Sequence, residues 1–486
     1  MSVSVKANRV LCLLAVCMFL SSLFSCALNT LSTDDNSTET ENPYTEPPGD
    51  GTPEPDEPST PDTAEIVFAL WGDPAEVDIT QKAIDTFNNL PDVKGRIHVT
   101  ALQEGRDGYD DALLALAARG EMPDCGMISE TRVLGFAREG LLLPYDIFDG
   151  QADKLLDSLR FIYNGETIAI NSNNEVLALW YNKEMFDDAG VDYPPATLAD
   201  AWTWDEFIEV AKQLTMDSSG NHQGDEGFNK FDIVQYGAYV NQFTFQLEVW
   251  SISNGGSWFS SDGNTVVFDD AAIEAIQNVF DLNLVHNVAP LFDGTEDYGF
   301  ALSLAAGNVA MCTDGQWAAG FRDETVGPGG TGIDYGVGVL PYMKNKANIF
   351  FGSTPVGIFA ASPHPDEAAE FLRWYIDEEN HFEHTEAGWR MPIKKSWYTD
   401  EALLKRWVDD VGVRAALPAG RYRTAIVDVA LDAGITKPPA WEYTPNTYEV
   451  LITTLQPGLV EAIVGTRTVK EVVEACRGQM QAALDG

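Results

Sequence analysis

Beginning at Glu65 the chain reads EIVFALWGD, then ITQKAIDTFNNL, RIHVTALQE, YDDALLALAARGEMPD and CGMIS. The first, third and fifth pieces are short apolar runs rich in strand-forming residues, whereas the second and fourth carry apolar residues at helical spacing. Strands joined through helices lie parallel with right-handed crossovers, so this order predicts βαβ units and an open sheet. Ligands of such sheets sit beyond the carboxyl ends of the strands. The residues found there are Trp71 and Asp73, then Glu104, then Glu130. An aromatic ring and three carboxylates thus share one edge, although each is also an ordinary solvated loop position.

The N-terminal segment is of another kind. Lys6 and Arg9 precede an apolar run from Val10 to Phe24. That run is shorter than the roughly twenty residues a spanning helix needs, and its charged-then-apolar order is that of a secretory signal. Leu23, Phe24 and Ser25 lead to Cys26, a pattern that resembles the bacterial lipobox. The resemblance implies removal of residues 1–25 and acylation of Cys26; the alternatives are a signal cut elsewhere or an uncut anchor. Residues 27–63 hold seven prolines and ten Asp/Glu with no Lys or Arg, too polar to offset their ordering entropy. Residues 26–63 are therefore expected to be a disordered acidic tether, and a chain of that length would hold a folded body roughly 35 Å from the membrane.

The roughly 420 residues that follow exceed what one hydrophobic core supports, so two lobes are expected. With 30 Lys+Arg against 75 Asp+Glu the formal charge is −45, which disfavours nucleic acid as a partner because phosphate affinity comes from cationic contacts. Cys125, Cys312 and Cys476 form an odd set without metal-ligand spacing, and are read as small buried hydrophobes.

TWDEFIEVAKQLT predicts a helix whose capping box is Thr203 and Glu206, with Phe207, Val210, Ala211 and Leu214 on the buried stripe. Thr468 and Glu471 open the last helix in the same way. Between 217 and 265 the chain is loop-rich and aromatic, and Trp250 and Trp258 flank SNGGS; each ring closes a core or touches a ligand. The signatures of serine hydrolases, phosphate loops, zinc peptidases and dinucleotide folds are absent from the sequence. His381 and His384 in HFEHTE have the spacing of two zinc ligands but no third, and DSSGNHQGDEGFNKFD has calcium-loop composition but departs from the EF-hand pattern at its third and sixth positions. No metal or cofactor is expected.

The order of several further motifs is more specific than any one of them. LWYNKEMFDDAGVDYPPAT, TWDEFIEVAKQLT, GNVAMCTDGQWAAGF, YGVGVLPYMK, TPVGIFAASPHPDEAAEFLRWY and GWRMPIKKS together resemble the family 1 extracellular solute-binding proteins, the receptors of ABC importers, most of them for sugars. The resemblance covers nearly all of 64–486. It implies a two-lobed α/β fold of the periplasmic-binding-protein type II class, with a hinge of crossing strands and an interlobe ligand cleft. NNEVLALWYN would be the first crossing, STPVGIFAAS the second, and a third would fall near 395–410. Residues 64–178 and 355–400 would then form the N-terminal lobe, and 179–354 and 401–486 the C-terminal lobe. Carried over by position, Trp71, Asp73 and Glu130 match the family's pocket after the first and third strands. Trp317 matches the tryptophan of its GxW element, Trp389 with Arg390 the residues before its proline turn, and Trp441 an aromatic of the last lobe segment. Glu104 and Trp258 join these on the reading of the residues alone.

Exposed rings and carboxylates suit a sugar, which presents flat C–H faces and many hydroxyls. The sequence thus leads to a monomeric, lipid-anchored protein on the outer face of a bacterial membrane. It would capture a mono- or oligosaccharide and deliver it to ABC permease subunits by hinge closure, without catalysis. The rivals are a cell-surface carbohydrate hydrolase or lyase, and a sensory or adhesion lipoprotein that feeds no transporter.

Overall fold

The computed structural model describes residues 63–486 except 73, 106–107, 145–154, 157–158, 292–303, 305, 322–331, 412–416, 418–419 and 433. The signal segment, Cys26, the tether up to residue 62 and Asp73 lie outside the described residues.

Strand β1 (Ala64–Leu70), helix α1 (Pro74–Asn88), β2 (Ile97–Gln103), α2 (Tyr109–Arg119) and β3 (Cys125–Met127) follow the alternation read from the sequence. β1 pairs parallel with β2 from Ala64↔Ile97 to Leu70↔Gln103, and parallel with β3 at Phe68↔Cys125. The period of two in β1 sends Ile66, Phe68 and Leu70 to one face of the sheet. There they meet Ile84 and Phe87 of α1 in one core, while Ala69 joins Tyr109, Leu113 and Phe136 on the other side.

β4 (Arg160–Tyr163) leads into β5 (Glu166–Asn182), a strand of 17 residues. Helix α3 (Trp204–Leu214) carries the expected capping box: the Thr203 amide donates to Glu206 Oε2 at 2.8 Å and the Glu206 amide to Thr203 Oγ1 at 3.3 Å. The 217–235 insert is a small hairpin of β6 (Met216–Asp217) and β7 (Ile233–Gln235). Its Asp217 carboxylate accepts the amides of Ser219, Asn221 and Asn229 at 2.8–3.0 Å. Next come β8 (Tyr239–Val240), α4 (Thr244–Ser253), β9 (Met311–Gly315), β10 (Tyr335–Gly338) and β11 (Asn348–Ile358). Helices α5 (Pro365–Tyr375) and α6 (Glu383–Glu386) return to the first lobe, where Phe371 meets Phe68 and Phe87 with ring centroids 5.3 and 5.1 Å apart. β12 (Thr436–Lys437) pairs with the start of β11. The chain closes with α7 (Val469–Asp485), capped by Thr468 and Glu471 as expected.

Two lobes share β5. Its first part pairs with β4 through Ile170 and with β11 through Val176; from Leu177 on it pairs with β9, and from Leu179 also with β10. β11 runs antiparallel beside β5 and then pairs with β3. These are the two crossings expected at NNEVLALWYN and STPVGIFAAS. A third passage runs beside β5 at the bridge between Asn174 and Met391, ahead of the expected 395–410 interval. Among the described residues no helix is long and apolar enough to cross a membrane, and Cys125 and Cys312 are buried as expected, whereas Cys476 is half-buried.

Candidate ligand cleft between the lobes

The crossing is held by side-chain amides. Asn171, Ser172, Asn173 and Asn174 of β5 are 0–6% exposed, and burying so many polar groups requires that they be hydrogen-bonded. Asn173 Oδ1 accepts the Met391 amide at 2.9 Å, Asn174 Nδ2 donates to the Pro392 carbonyl, and Ser172 Oγ donates to the Thr354 carbonyl at 2.9 Å. One asparagine-rich stretch thereby ties all three passages together. The sequence reading took it only as part of a strand; four consecutive small polar residues before an apolar run, NSNNEVLAL, were the available signal.

Where the lobes meet, the first lobe offers the ends of β1, β2 and β3. Trp71 is half-buried, its ring set edge-on against Tyr109 at 4.6 Å, and Tyr109 is fixed in turn by donating its hydroxyl to the Met127 carbonyl at 3.0 Å. The Glu104 amide donates to the Leu70 carbonyl at 3.2 Å, which extends the ladder by one bond, and Glu104 is half-buried. Asp110, 7% exposed, accepts the Ser129 amide at 3.1 Å, and burial raises its pKa from the usual carboxylate value.

The second lobe offers the turn after β9. A glycine at 315 is obligatory there: a Cβ would stand 1.8 Å from the Trp317 ring. The indole therefore lies flat across the strand end, and it is half-buried. Gly320, in the same turn (Gln316–Phe321), is covered by the Trp389 ring, which would be 2.6 Å from a Cβ. Trp389 arrives from the first-lobe segment after α6. Its carbonyl accepts from Gln316 Nε2 at 3.0 Å, and Gln316 Oε1 accepts from Tyr422 at 3.1 Å. Two indoles, one from each side of the crossing, thus flank a single turn.

Sequence reasoning missed a contact between the turn after β3 and the C-terminal part of the chain. Arg132, in the 3-10 turn Glu130–Arg132, pairs with Glu449 and with Asp111 (3.2 Å), and stands 3.7 Å above the Tyr448 ring. Thr447 Oγ1 donates to the Thr131 carbonyl at 3.2 Å. Tyr448 and Glu449 belong to a π-helical segment, Tyr448–Leu455, packed on α7. A lone arginine in a polar stretch carries no sequence signal for such a role.

Four expected ligand contacts, Trp258, Trp441, Arg390 and Glu130, have other partners. Trp258 is 2% exposed, donates Nε1–H to Ser251 Oγ at 2.8 Å and stacks on Phe268 at 5.0 Å, so it is a core ring. Trp250 is also core, 4.9 Å from Trp204. Trp441 is 3% exposed in the turn Ala440–Glu442 and joins the larger core. Arg390 is 8% exposed and turns into the first lobe, where it donates to Tyr375 Oη at 3.1 Å. Glu130 Oε1 accepts the Thr354 amide at 2.9 Å. Thr354 has φ +50°, a left-handed conformation unusual for a branched residue, so Glu130 braces the second crossing strand. Among the described residues no cluster of three or more His, Cys, Asp or Glu is arranged to hold a metal ion.

Several solved structures share this architecture. An ABC substrate-binding protein from Listeria monocytogenes in complex with cycloalternan superposes with a TM-score of 0.69 at 19% identity, over 87% of this chain and all of that one. Maltose-bound MalE3 of T. maritima gives 0.66 at 19%, over 86% of this chain and all of that one. These fix the fold as the two-lobed α/β type. In sequence, an arabinooligosaccharide-binding protein of Halalkalibacterium halodurans is 27% identical over 269 residues, 54% of this chain; the chain spans 56% of that relative's length. The profile of the bacterial extracellular solute-binding proteins matches residues 72–381, and the chain belongs to that family.

Proposed function

We propose that this protein captures a neutral sugar between its lobes and passes it to an ABC permease. The observation that carries the reading is the pair of half-buried indoles, Trp317 and Trp389, laid across Gly315 and Gly320 of one turn where the lobes meet. A ring held flat against backbone presents its other face, and flat faces suit the C–H surface of a pyranose or furanose. Trp71 and Glu104 complete the site from the first lobe, with Asp73 between them in sequence. The arabinooligosaccharide and the maltose in the names of two similar proteins support this class.

Closure follows from the hinge. A solute that touches both lobes only in the closed form shifts the population toward it. The N-terminal lobe would comprise 64–178 and 355–400, and the C-terminal lobe 179–354 and 401–486. Acylated Cys26 would hold the monomer at the outer face of the membrane through the acidic tether. The site would bind without turnover.

The experiment is a thermal-shift and product screen on residues 64–486 with arabinotriose, maltotriose and tagatose. Binding at 100-fold excess over Kd should add about 2.7 kcal/mol of stability, with every glycan recovered intact. No stabilisation by any neutral sugar, or release of shorter products, would overturn the proposal.

A further inference from the structure

Beneath Trp389 lies a group of titratable side chains that sugar binding does not use. His381 and His384 are 7% and 2% exposed, with their rings edge to face at 5.0 Å. His384 Nε2 lies 3.1 Å from Thr80 Oγ1 of α1. His381 Nδ1 lies 2.9 Å from Glu383 Oε2, and its ring stacks on Tyr375 of α5 at 5.4 Å. The Arg390 guanidinium stands 5.5 Å from the same Tyr375 ring. The remaining nitrogens, His381 Nε2 and His384 Nδ1, are buried without a hydrogen-bond partner.

That geometry admits only neutral imidazoles. A protonated ring has two N–H donors, and each of these rings meets a single partner. Among the described residues the charged groups facing the pair are Arg390, which repels a second cation, and Glu383, which lies between the two histidines in sequence; α1 contributes only Thr80, and α5 only Tyr375. Among the described residues no third metal ligand joins the pair, and a permanent cation stands beside it. In agreement, burial and then Arg390 lower the pKa of His381 to about 4 and that of His384 well below its ordinary value.

The histidines are tied to the cleft through the backbone. The His384 carbonyl accepts the amides of both Trp389 (3.1 Å) and Arg390 (3.3 Å), and the next contact outward is the Trp389 ring on Gly320. We propose that the buried His381–His384 pair is an acid-sensitive catch that positions Trp389: neutral, it seats the 382–391 segment on α1 and α5, and protonation beside Arg390 unseats that segment and withdraws the indole from the cleft. The inference rests on the reading of Trp389 as a solute contact. Its first test is independent of any sugar.

Near-ultraviolet circular dichroism and tryptophan fluorescence of the ligand-free protein would be followed from pH 7 to 3.5, beside far-ultraviolet dichroism as a monitor of the fold. Trp389→Phe identifies the contribution of Trp389. The wild type should lose the Trp389 signal between pH 6.5 and 4 while the far-ultraviolet spectrum holds, because protonation of one such ring multiplies the released population by up to about a hundredfold over that interval. The double variant His381→Asn, His384→Gln keeps an amide on each hydrogen-bond partner and cannot be protonated, so its signal should stay flat. Arabinotriose affinity should fall at least about tenfold over the same interval in the wild type and not in the double variant. A flat wild-type signal, an equal loss in the double variant, or loss of the signal only together with the fold would each overturn the catch. Absence of arabinotriose binding at pH 7 would count against the sugar reading and leave the spectroscopic test to decide the catch.

Discussion

Replacing Gly315 by alanine tests the placement of Trp317 more sharply than removing the ring itself. The added Cβ would stand 1.8 Å from Cζ3, 2.0 Å from Cε3 and 2.1 Å from Cη2 of the indole, against ordinary contact near 3.4–4 Å. The ring must therefore move by about 1.5 Å or more, and since it lies across the strand end the open direction is away from the backbone. Overpacking of this kind costs about 1–3 kcal/mol. The loss of a well-seated aromatic from a binding site costs a similar amount. Gly315→Ala should thus weaken sugar binding about 10- to 100-fold by titration calorimetry. In a Trp317→Ala background the clash has no partner, so the same substitution should change affinity by less than about 0.5 kcal/mol. Melting of the ligand-free protein should show the overpacking cost of about 1–3 kcal/mol where Trp317 is present and little change where it is absent. A Gly315→Ala effect that persists without Trp317, or a large drop in ligand-free stability with affinity intact, would refute the reasoning.

Two further outcomes follow from buried carboxylates. Glu248 of α4 is 4% exposed and accepts the Ala440 amide at 3.1 Å; burial, partly offset by that bond, pushes it up to about 7, and burial with Glu248 nearby pushes Glu442 up to about 8. The fold keeps protons that the unfolded chain gives up near 4.5, so stability is full below that pH and falls as pH rises toward 8. Glu442→Gln should flatten this slope by roughly 2–3 kcal/mol in urea titrations at pH 5 and 8, and an unchanged slope would exclude the pair as its source. Glu130→Ala strips the Thr354 amide of its acceptor and should cost about 1–3 kcal/mol of stability with sugar affinity within twofold; the reverse pattern would return Glu130 to the ligand site.

The parts of this fold governed by short-range chemistry were legible in the sequence. The alternation from β1 to β3 and the capping boxes at Thr203 and Thr468 depend on periodicity or on residues three apart, whereas the two long crossings came from the family resemblance. In the candidate site, Gly315 and Trp317 stand two apart in one motif, whereas Trp389, carried over from the family resemblance, meets Gly320, which lies 69 positions earlier, and no local pattern joins them. Trp258 follows a glycine pair just as suggestively, yet Phe268 and Ser251 claim its face and its N–H. Arg390 turned inward because Tyr375 offered both a hydroxyl and a ring from another helix. Each miss is a choice among distant partners, which composition does not rank.

The completion of the first-lobe sheet by β11 bears on how this chain is made. β3 gains its second neighbour only when Val356 reaches Met127, and β5 gains one when Val356 reaches Ile170. Pairings so distant in sequence lower the rate of folding, because loop closure must be met before the contacts form. During synthesis, β1, β2 and β3 emerge long before the strand that encloses them. Until residue 356 has emerged, the first sheet keeps an unpaired edge at β3, and the early part of the chain stays incompletely folded for that long.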